Sequence, residues 1–167
     1  MIPKNLGHIF LLGMGVSGMS LALYLTKHKV LNSCWDDDHL IRAKAKKKKL
    51  NVEKITLKSI ARTKILVLSP GINHEQEKPH KAVILAKELK IKIVTDLEFF
   101  KILDFKNFLI GITGTNGKST TTHFIHKVIS YDNYIKAQMC GNIGVPFTDL
   151  DIKKETRLIV EASSYQL

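Results

Sequence analysis

The sequence predicts an α/β fold in which parallel strands are covered by helices, arranged as two successive units. Three observations carry this. Short apolar runs alternate with stretches of helical apolar spacing along the 167 residues, the pattern of parallel strands joined by crossover helices. Two of the strands run straight into glycine-rich turns that open helices, GMGVSG at 13–18 and GTNGKS at 114–119. The composition, 44% hydrophobic and 7% aromatic, is that of a globular chain, and no run reaches the roughly 18 apolar residues of a membrane span. The length suits one ordinary domain, or one domain and part of another.

The elements follow in order. HIFLL (8–12) is a first apolar strand, and SGMSLALYLTKH (17–28) after it has helical spacing. VLNSCW (30–35) is a strand ending at Asp36, and KILVLSPGI (64–72) is another that stops at Pro70 and Gly71. Pro79 suits the first turn of a helix reaching Leu89. KIVTDLEFFKIL (92–103) reads as a strand with a helix opening near Asp96. FLIGIT (108–113) starts the second unit, TTTHFIHKVIS (120–130) is its helix, and RLIVEA (157–162) is its next visible strand. The first unit is expected to complete a sheet of about five strands, a usual size.

Charge and cysteines narrow the function classes. The net charge of +11 raises nucleic acid as a partner, and the run AKAKKKK (43–49) is its sharpest expression. No aromatics interleave with that run, so it reads as the solvated face of a helix; neither nucleic acid nor membrane is expected as a partner. Cys34 and Cys140 are far apart and lack metal-ligand spacing, which leaves buried free thiols. The apolar stretch near the N-terminus leads into glycines rather than a cleavage site, so it is a first strand and a cytoplasmic protein is expected.

Gly13, Gly15 and Gly18 form a full G-x-G-x-x-G between a strand and a helix. Such a turn lets the backbone approach phosphate closely and aims the free N–H groups of a helix start at it. Asp36, Asp37 and Asp38 stand about 20 residues on, where an acid completes a dinucleotide pattern. A nicotinamide-dependent dehydrogenase is therefore a competitor at this stage.

The second loop is more informative. In GITGTNGKST (111–120) the ending matches a phosphate-binding loop, yet Ile112 stands where the first glycine of G-x-x-x-x-G-K-[ST] belongs. The rest of the machinery survives. Backbone N–H groups can wrap phosphate oxygens, Lys118 can reach the terminal phosphates, and the Ser119 hydroxyl can ligate Mg²⁺. Glu161, at the end of the strand in RLIVEASS, is a candidate second ligand for that metal.

GTNGKS resembles the loop of the Mur ligase family, and folylpolyglutamate synthases share a close relative of it. SPGI (69–72), GNIGVP (141–146) and EASSYQL (161–167), with GMGVSG and TDLEFF, resemble the branch of that family that adds D-glutamate. The alanine-adding branch would show a histidine in the loop and an E-A-D-E run, and neither occurs. The likeness covers essentially the whole chain, with its motifs in family order.

The resemblance implies a Rossmann-like UDP-sugar-binding domain over 1–106, followed over 107–167 by the truncated start of a P-loop ATPase-type central domain. Gly15, Val16, Ser17, Asp36, Asp37, Ser69, Pro70, Gly71 and Asn142 fall on positions that hold UDP-N-acetylmuramoyl-L-alanine. Gly114, Thr115, Asn116, Gly117, Lys118, Ser119 and Thr120 fall on the ATP loop, with Lys118 as the catalytic cation and Ser119 and Glu161 as Mg²⁺ ligands. The implied reaction is ATP-dependent addition of D-glutamate through an acyl phosphate, in a cytoplasmic monomer. One departure stands out: the family often has a hydroxyl and an arginine beside the equivalent of Asp36, and here Asp37 and Asp38 are expected to repel a diphosphate.

The family's second metal site, adenine contacts and D-glutamate-binding domain lie beyond these residues. His123 and His126 are read as ordinary helix residues, not replacement ligands. The chain is therefore expected to be inactive alone, and a non-catalytic UDP-sugar-binding module is the alternative of a different class.

Overall fold

The computed structural model describes residues 3, 5–72, 77–103, 107–131, 134–153 and 155–163. Its first sheet is formed by β1 (Ile9–Leu12), β2 (Asn32–Trp35), β3 (Ile65–Leu68) and β4 (Lys92–Thr95), all parallel, in the order β2-β1-β3-β4. β1 is buried on both faces. Ile9 and Leu11 enter one apolar cluster and Phe10 and Leu12 the other, as expected of a central parallel strand. The register aligns Leu12 with Trp35 and with Leu68, so the turns that follow these strands emerge at one edge. The chain leaves β1 to one side for β2 and returns to its other side for β3. Such a switch point is where open parallel sheets bind ligands.

The helices are set by their ends. α1 (Val16–Lys27) opens at Gly15, and α2 (His39–Lys47) is capped by Asp38, which accepts from the Leu40 amide at 2.7 Å. α3 (Leu57–Ala61) and α4 (Lys81–Glu88) precede and follow β3. α5 (Asp96–Ile102) follows β4 directly, held by a reciprocal cap between Thr95 and Glu98. The lysines of α2 and those after it, Lys44 and Lys46 to Lys49, are exposed around the buried Ala45, which is the solvated face the sequence predicts.

Two expectations change here. The first sheet has four strands among the described residues, not about five; beside β2 only a single parallel bridge forms, Cys34 with Val52. Pro79 lies outside α4, because the His80 Nδ1 lone pair accepts from the Ala82 amide at 3.1 Å and makes His80 the cap.

The second sheet consists of β5 (Leu109–Ile112), β6 (Ala137–Gly141) and β7 (Arg157–Glu161), parallel in the order β5-β7-β6. α6 (Lys118–Ser130) connects β5 to β6. Thr122 is the one buried residue of α6, while Phe124, Val128 and Tyr131, spaced along one face, are exposed. A short 3-10 turn at Phe147–Asp149 carries Phe147 into the first unit's core, edge-on to Phe100 of α5 with ring centroids 4.6 Å apart. Both cysteines are free and buried, and burial pushes the thiols up to about 11 at Cys34 and about 12 at Cys140. No described helix is long and apolar enough to cross a membrane.

Candidate functional site

A cleft of about 1060 Å³ opens at the carboxyl edge of the first sheet. One wall comes from the turns after β1, β2 and β3, and the facing wall from the segment after β6 together with Ser163. All nine residues expected on the UDP side line it: Gly15, Val16, Ser17, Asp36, Asp37, Ser69, Pro70, Gly71 and Asn142. Ser69 closes the base of the glycine turn, its hydroxyl donating to the Gly13 carbonyl at 2.7 Å.

Each of the three acids accepts a hydrogen bond. Asp36 accepts from the Met14 amide at 2.7 Å and the Asp38 amide at 2.9 Å, which ties the glycine turn to the start of α2. Asp38 is the cap of α2. Asp37 accepts from the Trp35 indole N–H at 3.0 Å and lies 3.2 Å from His80 Nε2. The indole hydrogen bond, with His80 and Arg42 adding to it, holds the Asp37 carboxyl below the usual carboxylate range. Because His80 Nδ1 accepts from Ala82, the proton of a neutral ring sits on Nε2, facing Asp37. Arg42 donates to the Asp36 and Asp37 carbonyls at 2.6 and 2.8 Å and stacks over Trp35 at 4.5 Å. A guanidinium therefore braces this edge from α2, and the repulsion expected from three bare carboxylates is softened by their donors.

The second loop joins β5 to α6. Gly117 caps α6 at φ +75°, in the left-handed region that glycine adopts without strain, and so turns the chain sharply into the helix. Gly114, Thr115, Asn116, Ser119 and Thr120 are exposed. Lys118 folds back over the loop, its ammonium donating to the Gly114 carbonyl at 2.7 Å. β7 lies beside β5, with Ile112 in register with Glu161, so the loop and this acid leave the same edge of the sheet.

Glu161 is 5% exposed and its Oε2 is buried with no hydrogen-bond partner among the described residues. An orphaned buried carboxylate oxygen is costly unless a cation satisfies it. Together with a serine at the second position of α6 and a nearby lysine, this donor set fits a magnesium–phosphate group. Glu161 is thus neither a surface nor a helix-capping acid. His126 accordingly has an ordinary role, with Nε2 3.3 Å from the Ala137 carbonyl, and His123 is exposed.

Residues 112–167 match the Mur ligase middle domain. That segment, about a third of the chain, is similar to the Mur ligase family. Curated Mur ligases similar to the chain, each called UDP-N-acetylmuramoylalanine--D-glutamate ligase, include one from Wolbachia sp. subsp. Brugia malayi, 36% identical over 93% of this chain and 31% of that protein. Another from Wolbachia pipientis wMel is 37% identical over 96% of this chain and 31% of its own length. A third, from Rhizobium johnstonii, is 36% identical over 95% and 35%. The chain thus spans about a third of the length of these relatives.

Solved Mur ligases share the fold. The UDP-N-acetylmuramate:L-alanyl-gamma-D-glutamyl-meso-diaminopimelate ligase from Neisseria meningitides aligns over 93% of this chain and 52% of its own with a TM-score of 0.57 at 16% identity. The murein peptide ligase from Psychrobacter arcticus aligns over 95% and 38%, with a TM-score of 0.57 at 18% identity.

Several cleft residues escape a reading of the sequence. Ile41, Ile72, His80, Ile143, Gly144, Pro146 and Ser163 also line it. Five of these, Ile72, Ile143, Gly144, Pro146 and Ser163, lie in the motif stretches SPGI, GNIGVP and EASSYQL, beside residues whose roles the resemblance implies. His80 had a weaker signal: a histidine between a proline and an apolar helical run is placed to cap. Of the EASSYQL motif, residues 164–167 lie outside the described residues.

Proposed function

We propose that this chain supplies the UDP-substrate cleft and the ATP loop of a D-glutamate-adding Mur ligase, acting on UDP-N-acetylmuramoyl-L-alanine in the cytoplasm. Residues 1–106 would form the substrate unit and 107–167 the start of the ATP unit. The observation that carries the reading is a single cleft of about 1060 Å³ lined both by the start of α1 and by the Asn142 segment.

In this reading the first turn of α1 presents backbone N–H groups to the diphosphate, favoured by the positive end of the helix dipole. Asp36 holds the glycine turn through the Met14 amide rather than meeting the ligand with both oxygens. Magnesium-bound ATP supplies the phosphoryl group that activates the alanyl carboxylate. Lys118 would leave its loop carbonyls for the phosphates, while Ser119 and Glu161 would hold the metal. Phosphoryl transfer between anions depends on such positioned charge more than on covalent help from the protein.

Titration calorimetry tests the assignment on the 167-residue chain. UDP-N-acetylmuramoyl-L-alanine should bind more tightly than NAD. Tight NAD binding with none for the UDP-sugar would overturn it. Phosphate release with ATP, Mg²⁺, UDP-N-acetylmuramoyl-L-alanine and D-glutamate should stay at the level of a Lys118→Ala control, since α6 and β5 leave much of the loop and its surroundings open to water. Substrate-dependent turnover abolished by that substitution would show the chain to be sufficient by itself.

A further inference from the structure

The two walls of the cleft belong to different sheets, so its width depends on whatever joins them. Behind the cleft, Ser20 of α1 is 4% exposed and its hydroxyl lies 2.6 Å from Asp149 Oδ1. The Thr148 hydroxyl is a second close partner of the same Ser20 oxygen. A carboxylate can only accept, so the Ser20 proton goes to Asp149 and Thr148 must be the donor to Ser20. The result is a directed chain, Thr148 to Ser20 to Asp149, that crosses from one unit to the other.

Its placement relates it to the cleft. Val16 and Ser17 line the first wall, and Ser20 lies four and three residues on, the same face of α1 one turn deeper. On the other side, the Asn142–Pro146 rim runs directly into the 3-10 turn, whose Asp149 amide donates back to the Pro146 carbonyl at 2.9 Å. Phe147 also packs against Phe100 at this junction, an apolar contact. Apolar contact is non-directional and tolerates sliding, whereas a short hydrogen bond to a carboxylate fixes position.

We propose that Ser20 and Asp149 are positioning residues: a latch that sets the distance between the start of α1 and the Asn142 rim, and so tunes the cleft for a ligand that reaches both walls. Neither residue lines the cleft. The ligand class, a nucleoside diphosphate carrying a sugar, rests on the function proposed above.

The test compares the 167-residue chain with Ser20→Ala, Asp149→Ala and Asp149→Asn, the last keeping an oxygen that can accept from Ser20. UDP, confined to the first wall, should bind every variant as it binds the parent chain. UDP-N-acetylmuramoyl-L-alanine should bind the two alanine variants about tenfold more weakly, the size of one partly water-replaced charge-assisted hydrogen bond, and Asp149→Asn should recover most of that loss. Hydrogen exchange should quicken at 141–149 in Ser20→Ala but not in β1 or β3. Unchanged affinity with unchanged exchange would overturn the latch. So would equal losses for both ligands with faster exchange throughout, the signature of general destabilisation. If the parent chain binds neither ligand, the cleft assignment fails, and the exchange pattern at 141–149 still decides for or against the latch.

Discussion

Replacing Gly141 by alanine should damage both candidate sites through one methyl group. Gly141 ends β6 at φ +99°, and a Cβ placed there would lie 2.1 Å from the Glu161 carbonyl oxygen and 3.0 Å from the Glu161 nitrogen. These are backbone atoms of the central strand of the second sheet and cannot rotate away. A left-handed backbone costs an alanine about 1–2 kcal/mol, and forcing a methyl into a packed site costs about 1–3 kcal/mol. Together they amount to about 2–5 kcal/mol, which for a chain of this size lowers the melting temperature by about 4–20 °C. The clash also falls on the carbonyl that accepts from the Asn142 amide at 2.9 Å, so the cleft rim should shift along with β7. Thermal unfolding followed by near-ultraviolet circular dichroism, paired with UDP-sugar titration, reads both effects. A Gly141→Ala chain that melts and binds like its parent would refute the reasoning, because no relaxation of a side chain is available to absorb the overlap.

Two further outcomes are expected. His8 sits between the Ser33 and Thr63 hydroxyls, and burial, with the charge of Arg62, lowers its pKa below the usual imidazole value. The unfolded chain then binds the proton more readily than the folded one, so stability is full above about 6.5 and falls as pH drops from there towards the lower folded value; His8→Gln should flatten the Tm-versus-pH slope between about pH 7 and 5, and an unaltered slope would count against this. Glu161→Gln removes a buried charge while keeping the shape, so the melting temperature should hold or rise, yet Mg²⁺ should no longer strengthen nucleotide binding as measured with a fluorescent ATP analogue; persistent Mg²⁺ dependence would eliminate Glu161 as the ligand.

The sequence reveals the first unit well because its strands are short apolar runs ended by glycine, proline or acidic residues, each with a physical role at the sheet edge. β6 is harder to see. AQMCG has no β-branched residue, is mostly half-buried at the rim of its sheet, and merges into the glycine turn that follows. α3 escapes notice because its cap is a Thr56–Ser59 pair rather than the usual threonine with glutamate. At the site, the glycine turns and the lysine loop are legible since their chemistry is local. The hydrogen bonding of Asp37 by Trp35 and His80 is not, because His80 lies 43 residues away and comes near only once β3 and α4 are in place. The Ser20–Asp149 contact spans 129 residues and leaves no local trace.

The register of the second sheet has a consequence for how far apart two bound molecules could sit. The main-chain oxygen of Glu161 holds the Asn142 amide at the cleft rim, while its side chain carries the buried carboxylate proposed for the metal. The offset between those anchor points is thus bounded by the reach of one amino acid and, within that reach, set by side-chain torsions that burial holds. Thermal breathing of the sheets, or a slow drift of sequence in the surrounding helices, can move both anchors together but can scarcely change the gap between them. Glu161 serves as a covalent ruler.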